Sequence, residues 1–161
     1  MGTRSRIGVM HGTNCKSIYV HWDGYPTGVG RILLDHYNSS KANHLVALGD
    51  ASTLRPNVFV PEGVEHSFEK PAEDICIFYG RDRGETGTEW KTDATFEEFL
   101  ERADGCGAEY YYVMQDGEWF VGSTYKSDQV LGSKLVPLAE VLAEQDIDTY
   151  DETERALVVG A

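Results

Sequence analysis

Arg6-Ile7-Gly8-Val9-Met10-His11 and Cys15-Lys16-Ser17-Ile18-Tyr19-Val20-His21-Trp22, joined by Gly12-Thr13-Asn14, read as two strands around a short turn. In the second run Ile18, Val20 and Trp22 point one way, while Ser17, Tyr19 and His21 point the other. That alternation suits a half-buried strand with His21 on its more polar face. A second hairpin lies far along the chain: Glu109 to Met114, a turn carrying Asp116-Gly117, then Trp119 to Gly122.

Between the hairpins the apolar period changes. Val29, Ile32, Leu33 and His36-Tyr37 recur at helical spacing, which predicts a helix from Thr27 or Gly28 to Asn38. Ala42, Leu45, Val46 and Leu48 form the stripe of another, from Ser40 to Leu48, with Gly49 as its stop. Residues 50–73, with Pro56, Pro61 and Pro71, read as an irregular connection or an edge excursion. Ile75 to Tyr79 is a continuous apolar run, consistent with a central strand. Thr95 and Glu98 form a capping box ahead of Phe99, Leu100 and Ala103, and Gly105 closes that helix. Pro137 reads as the first helical position of a last helix with Leu138, Val141 and Leu142 facing inward.

The order is therefore ββ-αα-β-α-ββ-α. Hairpins near both ends without regular β-α-β alternation predict an α+β fold, a mixed or antiparallel sheet of about five strands with helices packed on it. Residues 1–145 read as a single domain, and residues 146–161 as an acidic, loose tail. At 161 residues, 41% of them apolar, the chain is long enough to bury a core.

Charge is unevenly shared. Residues 1–60 carry six Lys and Arg against Asp23, Asp35 and Asp50, and residues 61–161 carry eight against 24 Asp and Glu, for a net charge of −13. Such a chain is not expected to bind a nucleic-acid backbone, which needs a basic surface. No apolar run approaches a bilayer span and no secretory leader is evident, so a cytoplasmic protein without a membrane role is expected. Cys15, Cys76 and Cys106 are too few and too scattered for a disulfide framework. His11, His21, His36, His44 and His66 show no metal-ligand spacing, so neither a metal nor a cofactor is expected. Strand rise would separate Cys15 from His21 by about 20 Å, which excludes a Cys–His couple.

Two segments could carry chemistry. In the first, His21-Trp22-Asp23-Gly24-Tyr25-Pro26 leads into Gly28-Val29-Gly30-Arg31. Exposed amides at Gly28 and Gly30 with Arg31 in the first helical turn could hold a phosphate, and Trp22 and Tyr25 could stack a base. The same residues equally suit a tight turn with Trp22 packed in the core. In the second, Tyr79-Gly80-Arg81-Asp82-Arg83-Gly84-Glu85, an arginine could clamp an oxyanion, or the charges could form a surface network that only shapes the loop. Tyr110, Tyr111 and Tyr112 line both faces of a sheet or form an oligomer contact.

With Ile32-Leu33-Leu34-Asp35-His36-Tyr37, Ala47-Leu48-Gly49-Asp50 and Phe78-Tyr79, these motifs resemble a widespread family of small tailed-phage accessory proteins. The resemblance spans residues 6–145 and implies a role against host defence, as in phage proteins that sequester immune nucleotide signals. The expectation is a homo-oligomeric protein of the host cytoplasm that binds a small nucleotide-like ligand, such as a cyclic dinucleotide or ADP-ribose derivative, without catalysis. Trp22, Tyr25 and Tyr79 would stack the base. Gly28, Gly30, Arg31, Arg81 and Arg83 would hold phosphates, and His21 and Asp23 would add hydrogen bonds. Two alternatives stand beside it: an acidic DNA mimic or protein–protein inhibitor of a host defence factor, and a phosphodiesterase-like enzyme using His21 and Asp23.

Overall fold

The computed structural model describes residues 2–124 and 135–144. Its centre is one mixed sheet of eight strands: β1 (Ser5–His11), β2 (Asn14–Val20), β3 (Ala51–Thr53), β4 (Ile77–Phe78), β5 (Lys91–Asp93), β6 (Tyr110–Gln115), β7 (Glu118–Ser123) and β8 (Val136–Pro137). The spatial order is β4-β3-β2-β1-β6-β7-β8, with β5 pairing β2 beyond the short β3. The β2–β3 and β1–β6 pairs are parallel and the remaining pairs antiparallel. The α+β class is thus as expected, with eight strands rather than about five. The additions, β3, β5 and β8, are two or three residues long, too short to show a period of two.

Both hairpins form. In the first, Gly12-Thr13 connects β1 to β2 and sets the register Ile7↔Ile18 and Arg6↔Tyr19. In the second, Asp116 (φ 52°) and Gly117 (φ 78°) make the doubly left-handed turn that matches strand twist.

The run at 75–79 is placed differently from expectation. Only Ile77–Phe78 is extended, at the end of the sheet, and Tyr79–Arg83 turns into a short helix, α3. Cys76 and Phe78 are fully buried and Ile75 nearly so. Asn57 bridges to Ile75, so part of that cover is the long excursion preceding the run. A continuous apolar run reports burial, not position in the sheet. The central strand is β1, held between β2 and β6.

The expected helix from 27 to 38 is divided. Pro26–Gly30 forms one π turn, with Arg31 N–H bonded to the carbonyl of Pro26, and α1 runs only from Arg31 to His36. Ser39–Ala47 is α2, capped by the Asn38 side chain accepting from Lys41 N–H. Phe96–Gly105 is α4, where Thr95 Oγ1 accepts from Glu98 N–H at 3.2 Å. The reciprocal arm is displaced by one residue, since Glu98 Oε2 accepts from Ala94 N–H at 2.9 Å. Pro137 ends β8 instead of opening the helix, and residues 138–144 are helical with Leu138, Val141 and Leu142 buried. Residues 146–161, read as a tail, lie outside the described residues.

The two faces of the sheet are covered unequally. Ile7, Val9, Ile18, Val20, Tyr112, Met114 and Val121 meet α1, α2 and residues 138–144 in the larger core. On the opposite face Cys15, Tyr111 and Val113 meet Phe99 and Ala103 of α4 in a smaller one. Tyr112 locks the loop after β2 to the larger core. Its buried hydroxyl donates to Gly24 O at 2.6 Å and accepts from Gly30 N–H. Gly30 lies so near this ring and Leu138 that an added Cβ would stand 3.1 Å from each.

Tyr112→Phe keeps the packing and leaves two buried backbone groups unpaired, which costs about 1–3 kcal/mol. Urea unfolding should show a lower midpoint at an unchanged slope. A loss under about 0.5 kcal/mol, the scatter of neutral surface changes, would mean that the hydroxyl does not hold the loop.

Candidate functional site

The turn after β2 is built from its own backbone. Gly24 N–H bonds Thr3 O at 2.8 Å, Val29 N–H bonds Asp23 O at 2.8 Å and Gly28 N–H bonds Tyr25 O at 2.9 Å. With Gly30 N–H on Tyr112, the amides of Gly28 and Gly30 are engaged internally and form no open anion cradle. Asp23 accepts from the Tyr25 hydroxyl at 3.1 Å. Trp22 and Tyr25 are partly exposed, and the His21 and Trp22 rings are nearly perpendicular with centroids 4.6 Å apart.

The second segment is also tied inward. Arg81 bonds the Val58 and Cys76 carbonyls and both oxygens of Asp82. Asp82 in turn accepts from Phe78 N–H at 2.8 Å and contacts the buried His66 at 3.2 Å. His66 Nδ1 accepts from Ala72 N–H, so Nε2 carries the proton and donates toward Asp82 and the Cys76 carbonyl. Arg83 lies over the Phe68 and Tyr79 rings and pairs with Glu85. Arg81 therefore anchors the 55–76 excursion, and Arg83 sits at its rim.

The two segments approach each other only in part. His21 and Trp22 N–H bond the carbonyls of Ala51 and Ser52, and Tyr79 N–H bonds that of Asp50, so β3 alone separates them. Gly30 stands against Leu138 and Tyr112 of the larger core, whereas the Tyr79 ring lies against Phe68 and Arg83.

On that opposite face α4 covers the start of β2 and leaves its end open. Arg6, Ser17 and Tyr19 form the floor there, with Arg6 and Tyr19 cross-strand neighbours. A cleft of about 670 Å³ opens beside them, lined by Arg6, Asp50, Lys91, Asp93, Glu98, Glu101, Arg102, Gly105 and Cys106. Arg102 holds the buried Asp93 through Nε and Nη2 at 2.9 Å each. Asp50 Oδ1 accepts from Tyr19 N–H at 2.9 Å. The Tyr19 hydroxyl meets His21 Nδ1 at 2.7 Å.

Environment sets the chemistry of these groups. Burial, then Asp93, pushes the Cys15 thiol up to about 12, which makes it inert at neutral pH. Burial raises the Tyr19 phenol, only partly offset by Arg4. Burial also raises the Asp50 carboxyl, against the Tyr19 amide, Arg6 and Lys91. Asp82 moves the other way: burial pulls it up, but Arg81, the Phe78 amide and His66 outweigh burial and hold it below the usual value. Among the described residues no group of three His, Cys, Asp or Glu could hold a metal ion, and no helix is long and apolar enough to cross a membrane.

Of the residues expected to bind a ligand, His21 borders this floor through its hydrogen bond with the Tyr19 hydroxyl, and Tyr79 packs with Phe68 and Arg83 instead. The sequence reading missed Arg6, Tyr19, Asp50, Lys91, Asp93, Arg102 and Cys106. One signal was present: Arg6 interrupts an apolar strand, and the hairpin register sets it beside Tyr19. No family model, no curated protein and no solved structure matches the chain.

The two shifted carboxyls predict opposite pH responses. Lowered in the folded state, Asp82 stabilises above its usual 3.8, and that contribution fades as pH falls through the lowered value. Asp82→Asn should therefore be less stable than the parent at neutral pH, with the gap closing in acid. Raised in the folded state, Asp50 loses stability as pH climbs from 3.8 through the raised value. Asp50→Asn should thus gain on the parent over that climb. Denaturation midpoints across pH 2.5 to 7 check both, and parallel curves for the two variants would contradict the assignment.

Proposed function

We propose that the open half of the sheet's second face binds a small nucleotide-type ligand without transforming it, and that the biological role is to sequester such a signal against host defence. The observation that carries the binding reading is the cleft itself: it is lined by charged side chains from β1, β5 and α4, and Arg6 on its lining is the cross-strand neighbour of Tyr19. Arg6, Lys91 and Asp50 on its lining offer charge and hydrogen bonds, and the Tyr19 and His21 rings meet each other beside Arg6. Binding without chemistry is supported by the Cys15 thiol and Tyr19 phenol, both held protonated. The sequestration role is supported by the resemblance to phage accessory proteins.

A second reading, a carboxylate surface that occupies a host DNA-binding protein, draws on Glu97, Glu98, Glu101 and Asp104, all exposed along α4. It requires no cleft, and pull-down of such a partner without any small-molecule heat would favour it.

Calorimetry over cyclic dinucleotides, ADP-ribose derivatives and mononucleotides should show binding and a raised melting temperature for at least one compound. Chromatography of the denatured complex should return that compound intact. His21→Ala should weaken binding by about 1–3 kcal/mol if its ring stacks a base. Absence of both heat and melting shift across the panel would end this reading.

A further inference from the structure

We infer that Arg6 is an oxyanion anchor, holding a single phosphate or carboxylate group of a ligand whose neighbouring N–H or O–H donor is taken by Asp50. The inference rests on the binding reading for its biological sense, and it names the groups such a ligand must present.

Arg6 is 4% exposed, a guanidinium enclosed on the central strand of the sheet. It has five N–H donors in a fixed fork. Three have partners: Nε on Ser17 Oγ at 2.8 Å, Nη2 on Ser17 O at 3.4 Å, and Nη1 on Cys106 Sγ at 3.9 Å. None of these partners is a carboxylate. Arg81, Arg83 and Arg102 are bonded to Asp82, Glu85 and Asp93, respectively. Arg6 has no ion pair among the described residues, although the Asp50 carboxyl feels its charge.

An enclosed charge without a bonded counter-ion destabilises the fold, and an aliphatic side chain at this position would avoid that cost. Two N–H donors remain, and Arg6 lines a cleft together with Lys91 and Arg102. A guanidinium edge presents the geometry that a phosphate or carboxylate matches.

Asp50 refines the class. Its Oδ1 takes Tyr19 N–H, and Oδ2 has no hydrogen bond among the described residues. An unused cationic edge and an unused acceptor thus share one cleft. Glu98 and Glu101 at the same cleft disfavour a polyphosphate by like-charge repulsion. A phosphodiester or monophosphate on a molecule carrying an amino group fits this pattern, and a triphosphate does not.

The test titrates inorganic phosphate into isotopically labelled full-length protein while following the Arg6 Nε–H resonance and the amides of Ser17, Tyr19 and Cys106. These should shift saturably and together. Arg6→Met should weaken phosphate binding about tenfold to a hundredfold, while Lys70→Met, on the distant excursion, should match the parent. Should Arg6→Met fail to fold, the Arg6 resonance in the parent protein decides. No movement there at saturating phosphate, or undiminished binding by a folded Arg6→Met, overturns the anchor. Nucleotide binding that persists unchanged in Arg6→Met also overturns it while leaving the broader reading intact. Phosphate binding at Arg6 with no response to any nucleotide supports the anchor and ends the nucleotide reading instead.

Discussion

A slip of one residue between β1 and β2 would carry Arg6 into the larger core and bring Ile7 out of it, because side chains alternate along a strand. The register Arg6↔Tyr19 and Ile7↔Ile18 is therefore the constraint on which the other elements depend. It is fixed at one end by the two-residue turn at Gly12-Thr13 and enforced along the strands by burial of Ile7, Val9, Ile18 and Val20. β6 reads the same register from the other side of β1, pairing Tyr111 with Arg6 and Tyr112 with Ile7. The tyrosine that locks the loop after β2 and the arginine at the cleft floor thus sit on opposite faces of neighbouring rows.

Unequal cover of the sheet follows from composition. One face is aliphatic enough to recruit α1, α2 and residues 138–144. The other has an apolar half, around Cys15, Tyr111 and Val113, that binds the Phe99 and Ala103 stripe of α4. Its other half is Arg6, Ser17 and Tyr19, which offers little for a helix to bury. The cleft runs beside the polar side of α4, from Glu98 to Gly105. The site is thus a consequence of where hydrophobic cover runs out.

Much of this architecture was legible because its signals are local. The hairpins announced themselves through Gly12-Thr13 and Asp116-Gly117, and α4 through Thr95 and Glu98. What escaped was set by distant contacts. β3 and β5 exist only because β2 offers them an edge, and residues 75–79 look like a central strand because the 55–76 excursion helps to bury them. The site divided in the same way. The glycines and arginines of the two conspicuous motifs were visible, but whether their amides and guanidiniums faced outward depended on Tyr112 and Val58, 88 residues from Gly24 and 23 from Arg81. Tyr19 and Asp50 meet through a hydrogen bond across 31 residues, which no spacing rule reveals.

The inward commitment of Gly24, Gly30, Arg81 and Asp82 bears on how chains of this kind can diverge. Those residues set the loop after β2 and the base of the excursion, so they are under pressure to stay whatever the molecule binds. Apart from Arg6, the Asp93–Arg102 pair and Glu98, which caps α4, the cleft is lined by exposed side chains such as Lys91 and Glu101. Selection can rewrite those positions while the recognisable motifs stand still. Two relatives sharing both motifs would then share a scaffold and differ in their ligands, and kinship read from the motifs would say little about what each one captures.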